Sequence, residues 1–174
     1  INGSATIENI SNKAGLTILK PSDNGNAYIG MIGFIAKNLT ATINIKNCSN
    51  NAKVEGQTNG CKIGGIIGAV IWSDAGKLTL NIDNCDNFGD ITGANYIGGV
   101  IGVIEGQSTQ GLITLSVTNC DNEADITTTG TYVGGIIGNI AKAYLKDCTN
   151  TELVSVASGS TASKAVTVGG IAGS

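Results

Sequence analysis

Five times along the chain, a short apolar stretch carries glycine where regular structure tolerates it worst. The copies read YIGMIG from Tyr28, KIGGIIG from Lys62, YIGGVIG from Tyr96, YVGGIIG from Tyr132 and TVGGIAG from Thr167. Their leading glycines are Gly30, Gly64, Gly98, Gly134 and Gly169, at successive separations of 34, 34, 36 and 35 residues. A repeat at that period constrains the fold more than any local propensity, because each copy must bury its apolar face against the next.

A second motif interleaves with the first: TINIKNCSN at 42–50, LNIDNCDN at 80–87, LSVTNCDN at 115–122 and YLKDCTN at 144–150. ATIENISN at 5–12 follows the same template, with Ile10 in place of cysteine. The copies therefore run over about 1–37, 38–74, 75–108, 109–141 and 142–174, a single repeat domain spanning 1–174.

Within each copy, segments such as LTLNIDNC put Leu78, Leu80 and Ile82 on one face and Thr79, Asn81 and Asp83 on the other. Period two with β-branched residues is the pattern of a half-buried strand. A turn rich in Asn and Asp follows, then a short strand (VEG at Val54, DITG at Asp90, DITT at Asp125), then the glycine motif. The expectation is an all-β parallel β-helix or β-solenoid of about five coils, roughly 35 residues per coil, with three short strands in each.

Composition agrees with a narrow interior filled by aliphatic rows: 26 glycines, one proline, 4% aromatic and 13% charged residues in 174 positions. The ten basic residues are all lysine, there is no histidine, and the net charge is −3. Without arginine there is no bidentate clamp for phosphate, and no basic patch tracks nucleic acid. Lack of histidine removes the usual near-neutral base and the commonest zinc ligand. No cofactor is implied. The first residues lack a basic, then apolar, targeting pattern, and Ile1 falls inside a repeat, which suggests a chain cut from a longer precursor. No apolar run reaches the ~18 residues of a transmembrane segment; Gly98 and Gly102 have the spacing of a membrane helix pair in a stretch too short to span.

Ile97, Val100, Ile101 and Ile104 fall at helical spacing, but three glycines, at ~1 kcal/mol each, disfavour so short a helix. A kinked or bulged strand fits better, with glycine supplying positive φ and close approach between layers. Gly64, Gly65, Gly68, Gly98, Gly99, Gly102, Gly134, Gly135 and Gly138 are accordingly structural. GGxxG repeated five times is not a dinucleotide fingerprint, which needs GxGxxG between a strand and a long helix.

These residues together, a GG[IV][IV]G core preceded by Tyr or Val and following an NC[DS]N turn and a GDI-type strand, resemble the GLUG repeat of large bacterial and protist surface proteins. The resemblance covers nearly the whole chain. Its glycine core is kept in four of the five copies, with Ala172 as a small substitute in the last; Met31 and Ile10 depart from it in the first. It implies a secreted or surface-held β-solenoid with an adhesive role and no catalytic residues to carry over.

Cys48, Cys85, Cys120 and Cys148 share one repeat position and should stack in a column; a disulfide fits that spacing only with suitable side-chain directions, buried free thiols are the better reading, and a line of four cannot supply zinc's tetrahedron. Cys61, outside the column and near a loop, reads as the more reactive thiol. Asn50, Asn87, Asn122 and Asn150, with Asp86 and Asp121, should form turn ladders. Asp83, Asp86 and Asp90 crowd one turn near Asp121 and Asp125 of the next, which makes them the candidate calcium ligands. Asn2, Asn9, Asn38 and Asn47 begin glycosylation sequons; in a eukaryotic secreted protein the first three are open to glycans while Asn47 lies against the packed Cys48 turn, and in a bacterial one all four are chance.

The functional expectation is a non-enzymatic extracellular or cell-surface module, structural or adhesive, whose uncapped ends pair with another copy or with neighbouring repeats of a longer chain. Surface glycans or host proteins are the other partners this role implies. The alternative is a carbohydrate-active β-helix, either an enzyme using Asp83, Asp86 or Asp121 or a glycan binder using an aromatic column of Tyr28, Tyr96 and Tyr132. Carboxylates that recur with the repeat argue against an active site, which breaks repeat symmetry.

Overall fold

A computed structural model describes residues 4–18, 26–36, 40–56, 60–72, 77–106, 112–157 and 166–173. The sequons at Asn2 and Asn38 lie outside them. The chain is an all-β parallel solenoid in which each sequence repeat becomes one coil and each coil stacks on the last.

Four sheets run along the stack. The first holds Ala5–Glu8, Ala41–Asn50, Lys77–Asn87, Leu112–Thr118 and Tyr144–Lys146. Leu16–Ile18, Val54–Gly56, Ile91–Gly93, Ile126–Thr128 and Val154–Val156 form the second. Ala27–Ile29, Cys61–Gly64, Ile97–Gly98, Tyr132–Gly134 and Thr167–Gly169 form the third. The fourth has Ile32–Ala36, Ile67–Trp72, Ile101–Gly106 and Ile137–Ile140, with a single bridge from Ile137 to Ala172. The described chain thus makes between four and five turns.

Register follows the repeat. Cys85 lies opposite Cys48, Ile82 opposite Ile45 and Val117, and Gly98 opposite Gly64 and Gly134. In-register parallel stacking places like residues on like, so one inward choice is repeated at every level.

The glycine motif, expected as one kinked strand, is two strands in different sheets that meet at the Gly-Gly corner, which makes four sheets where three strands per coil were anticipated. This accounts for the helical-looking spacing. Ile97, before the corner, belongs to a core shared with Val54, Ile63, Ile91, Ile126 and Val133. Val100, Ile101 and Ile104, after it, belong to a second core with Ile43, Leu80, Ile82 and Val117. Two alternating strands that turn a corner mimic a 3.6-residue period.

The glycines are there for space. A Cβ on Gly98 would strike the Ile101 carbonyl and lie 2.6 Å from the Gly138 nitrogen, and Gly64 stands in the same relation to Gly102. At Gly99 a Cβ would meet the Gly135 carbonyl and the Asn122 side chain; Gly65 and Gly135 are equally crowded by Asn87 and Asn150. None of the nine motif glycines adopts a left-handed φ, contrary to expectation. Positive φ belongs instead to Asn9, Asn47, Asn84, Asn119 and Asp147, one per coil at 50–59°, and to Tyr96 at 51°. Asn and Asp tolerate this region, and here they turn the chain just before the cysteine position.

Candidate functional site

Four columns of chemically distinctive side chains follow the stack, and each was a candidate from the sequence. The asparagine column is the most regular. Asn12 donates Nδ2–H to Asn50 Oδ1 at 2.8 Å, Asn50 to Asn87 at 2.8 Å, Asn87 to Asn122 at 2.7 Å and Asn122 to Asn150 at 2.7 Å. Each amide also donates to the carbonyl two residues on: Ala14, Ala52, Gly89, Ala124 and Glu152 respectively. Asn50, Asn87 and Asn122 are fully buried, so the ladder satisfies amides that would otherwise be costly. It is also polar, running donor to acceptor from the first coil to the fifth.

In the cysteine column each thiol points at the carbonyl two residues back: Cys48 at Lys46, Cys85 at Asp83, Cys120 at Thr118 and Cys148 at Lys146. None of the five cysteines is joined in a disulfide. Hydrogen bonding with the Cys148 and Cys85 thiols, followed by burial, pushes Cys120 far up, while the hydrogen bond from Cys120 holds Cys148 down, to about 7. Cys148 is also the half-exposed member. Cys61, expected to be the reactive thiol, is instead fully buried in the core beside Ile63. Its two-residue spacing from Ile63 was the signal that placed it inside.

The carboxylates named as calcium candidates brace the coils. Asp83 accepts from the Thr118 hydroxyl at 2.6 Å and the Asn119 amide at 3.0 Å, and these bonds hold its carboxyl below the ordinary range. Asp86 accepts from the Asp121 N–H, Asp121 from the Thr149 N–H and hydroxyl, and Asp125 from the Leu153 N–H. Burial, then the Asp121 and Glu123 carboxylates, raise Asp86 against the pull of that N–H. Asp90 passes its backbone carbonyl to Val54. No three acidic or cysteine side chains among the described residues converge as a metal site requires.

Tyr28, Lys62, Tyr96, Tyr132 and Thr167 occupy one level of the third sheet on successive coils. The Lys62 ammonium lies 5.6 Å from the Tyr28 ring and 5.3 Å from the Tyr96 ring and donates to Asn26 Oδ1 at 3.0 Å; Lys62 is only 6% exposed. Tyr96 stacks on Tyr132 at 5.2 Å and 16°. Burial, then the Glu105 carboxylate, raises the phenols of Tyr28 and Tyr96. The three tyrosines do form a column, but it is interrupted by lysine, and its ring faces are turned toward one another.

The fifth coil differs from the inner ones. Val168 is 47% exposed, whereas Val133, Ile97 and Ile63 at the same level are fully buried. Ile171 is 37% exposed, against complete burial of Ile136, Val100 and Ile66. Five of the seven exposed large apolar residues among those described, Tyr144, Leu153, Val156, Val168 and Ile171, belong to this coil. No helix among the described residues is long and apolar enough to cross a membrane. Comparison with protein-family models, curated proteins and solved structures finds no match.

Proposed function

We propose that this chain is a non-enzymatic structural or adhesive repeat module whose fifth coil is a docking face for a further coil of the same kind. The observation that carries this is the exposure of Val168 and Ile171 at levels where every inner coil buries its residue. Covering what remains exposed of each, a little under half of the side chain, is worth about 0.5–1.5 kcal/mol, a driving force that acts along the stack. The asparagine ladder and the carboxylate braces support the same role, since Asn50, Asn87, Asn122, Asp83, Asp86, Asp121 and Asp125 are engaged with the next coil.

Placement outside the cell or at its surface rests on the resemblance to GLUG repeats, as does an adhesive role toward surface glycans or host proteins. Glycan binding along Tyr28, Tyr96 and Tyr132 is the alternative; it has less support, because Tyr96 and Tyr132 stack on each other and Lys62 fills the gap between Tyr28 and Tyr96. Sedimentation velocity and negative-stain microscopy across concentration test the docking face. Concentration-dependent rods of uniform width are the expected result, and particles that associate through their sides would contradict it.

A further inference from the structure

Resting on that reading of the fifth coil, we propose that its occupant is a second copy of this chain, docked head to tail in one register, so that the partner's first coil becomes a sixth coil. Three features of the two end coils fit together in that register.

The first is a clearance that the molecule itself leaves open. Gly65, Gly99 and Gly135 are each needed because the asparagine of the following coil, Asn87, Asn122 or Asn150, presses against them. Gly170 stands at the same position in the fifth coil, and a Cβ there would meet nothing within 4 Å. Continuing the register puts Asn12 of a second copy against Gly170, as Asn150 lies against Gly135.

The second is ladder polarity. Asn150 donates to Glu152, but its other amide hydrogen has no acceptor among the described residues, whereas Asn12, Asn50, Asn87 and Asn122 use both. At the opposite end Asn12 Oδ1 accepts, among the described residues, only the Ala14 N–H, at 3.3 Å, without the bond from a preceding coil that Asn50, Asn87, Asn122 and Asn150 receive. An open donor at one end and an open acceptor at the other join head to tail and not head to head.

The third is charge. One outward level of the first sheet reads Glu8, Lys46, Asp83, Thr118, Lys146 through the five coils. The same register sets Lys146, whose Nζ is 3.1 Å from Asp147, beside Glu8 of the next copy, repeating the Glu8–Lys46 adjacency. Val168 then meets Ile29, and Thr167 meets Tyr28, of that copy.

The test is cryo-electron microscopy and sedimentation of the 174-residue chain and three variants. The chain forms polar rods with a subunit rise of about 24 Å, five coils at the spacing of parallel strands. Gly170→Leu keeps the circular dichroism and melting temperature of the parent, because its side chain enters open space, but raises the concentration needed for rods roughly tenfold or more. Lys146→Glu weakens assembly, and the double variant Glu8→Lys/Lys146→Glu recovers it relative to that single change. Rods that persist in Gly170→Leu, or show a different rise, or are not recovered by the double reversal, overturn this register while leaving the docking face standing. Head-to-head dimers that grow no further do the same. A chain that stays monomeric at every concentration overturns pairing between copies and leaves the fifth coil to be covered by a further repeat of a longer chain.

Discussion

At the residue scale the fold depends on paired decisions: a glycine in one coil exists because of an asparagine in the next. Gly99 has Asn122 and the Gly135 carbonyl against it, so Gly99→Ala should destabilise the chain by about 1–3 kcal/mol through overpacking. Gly170→Ala, at the same repeat position with open space around it, should change stability by no more than about 0.5 kcal/mol. Urea denaturation of both variants checks the contrast, and equal effects would show that the glycines serve backbone conformation instead of clearance. Thiol chemistry separates a second pair of residues. At pH 7 a maleimide should label native protein at Cys148 and leave Cys48, Cys61, Cys85 and Cys120 untouched until the fold is melted, read by peptide mass spectrometry. The need for glycine was legible in the sequence, but its cause was read partly wrongly. Positive φ was assigned to glycine, whereas Asn47, Asn84 and Asn119 carry it, because a turn-rich NC motif does not reveal which of its residues bends the chain.

At the scale of elements, the alternating strands were plain in the sequence because period two with β-branched residues has few other interpretations. The fourth sheet was not, since the Gly-Gly corner divides a run too short to show two alternations, and Ile97 and Val100 face different cores. The braces between coils are equally hidden, because which carboxylate meets which donor depends on register. They bear on pH. Asp83 titrates below its ordinary range in the folded state, so its stabilising contribution is present above the pKa of the unfolded chain and is lost as pH falls through the folded value. Asp83→Ala should therefore lower the denaturation midpoint at pH 7, and the gap to the parent should close on acidification. Asp86 has the opposite sign: raised on folding, its contribution is full below the unfolded pKa and falls as pH rises through the folded one, so Asp86→Asn should narrow the loss of stability between acid and neutral pH. Midpoints measured from about pH 3 to 7 decide both, and a pH-independent gap for Asp83→Ala would remove the brace from the account.

At the scale of the molecule, the repeat period read from five leading glycines is the register found in the third sheet, where Gly64, Gly98, Gly134 and Gly169 lie side by side. In-register stacking makes the ends special. An inner coil satisfies its asparagine, covers its isoleucine or valine and fills its glycine clearance from the following coil, and the fifth coil keeps all three features with the next coil's place open. The clearance at Gly170 becomes visible only when its neighbours are placed. Amide hydrogen exchange followed as a function of protein concentration tests most directly the docking of one copy's first coil on the fifth coil of another. The account predicts that protection rises with concentration at Val154–Val156, Thr167–Gly169 and Ile171 of the last coil and at Leu16–Ile18 and Ala27–Ile29 of the first, with the three inner coils unchanged. Protection that is independent of concentration, or that rises along the side faces instead, would contradict it.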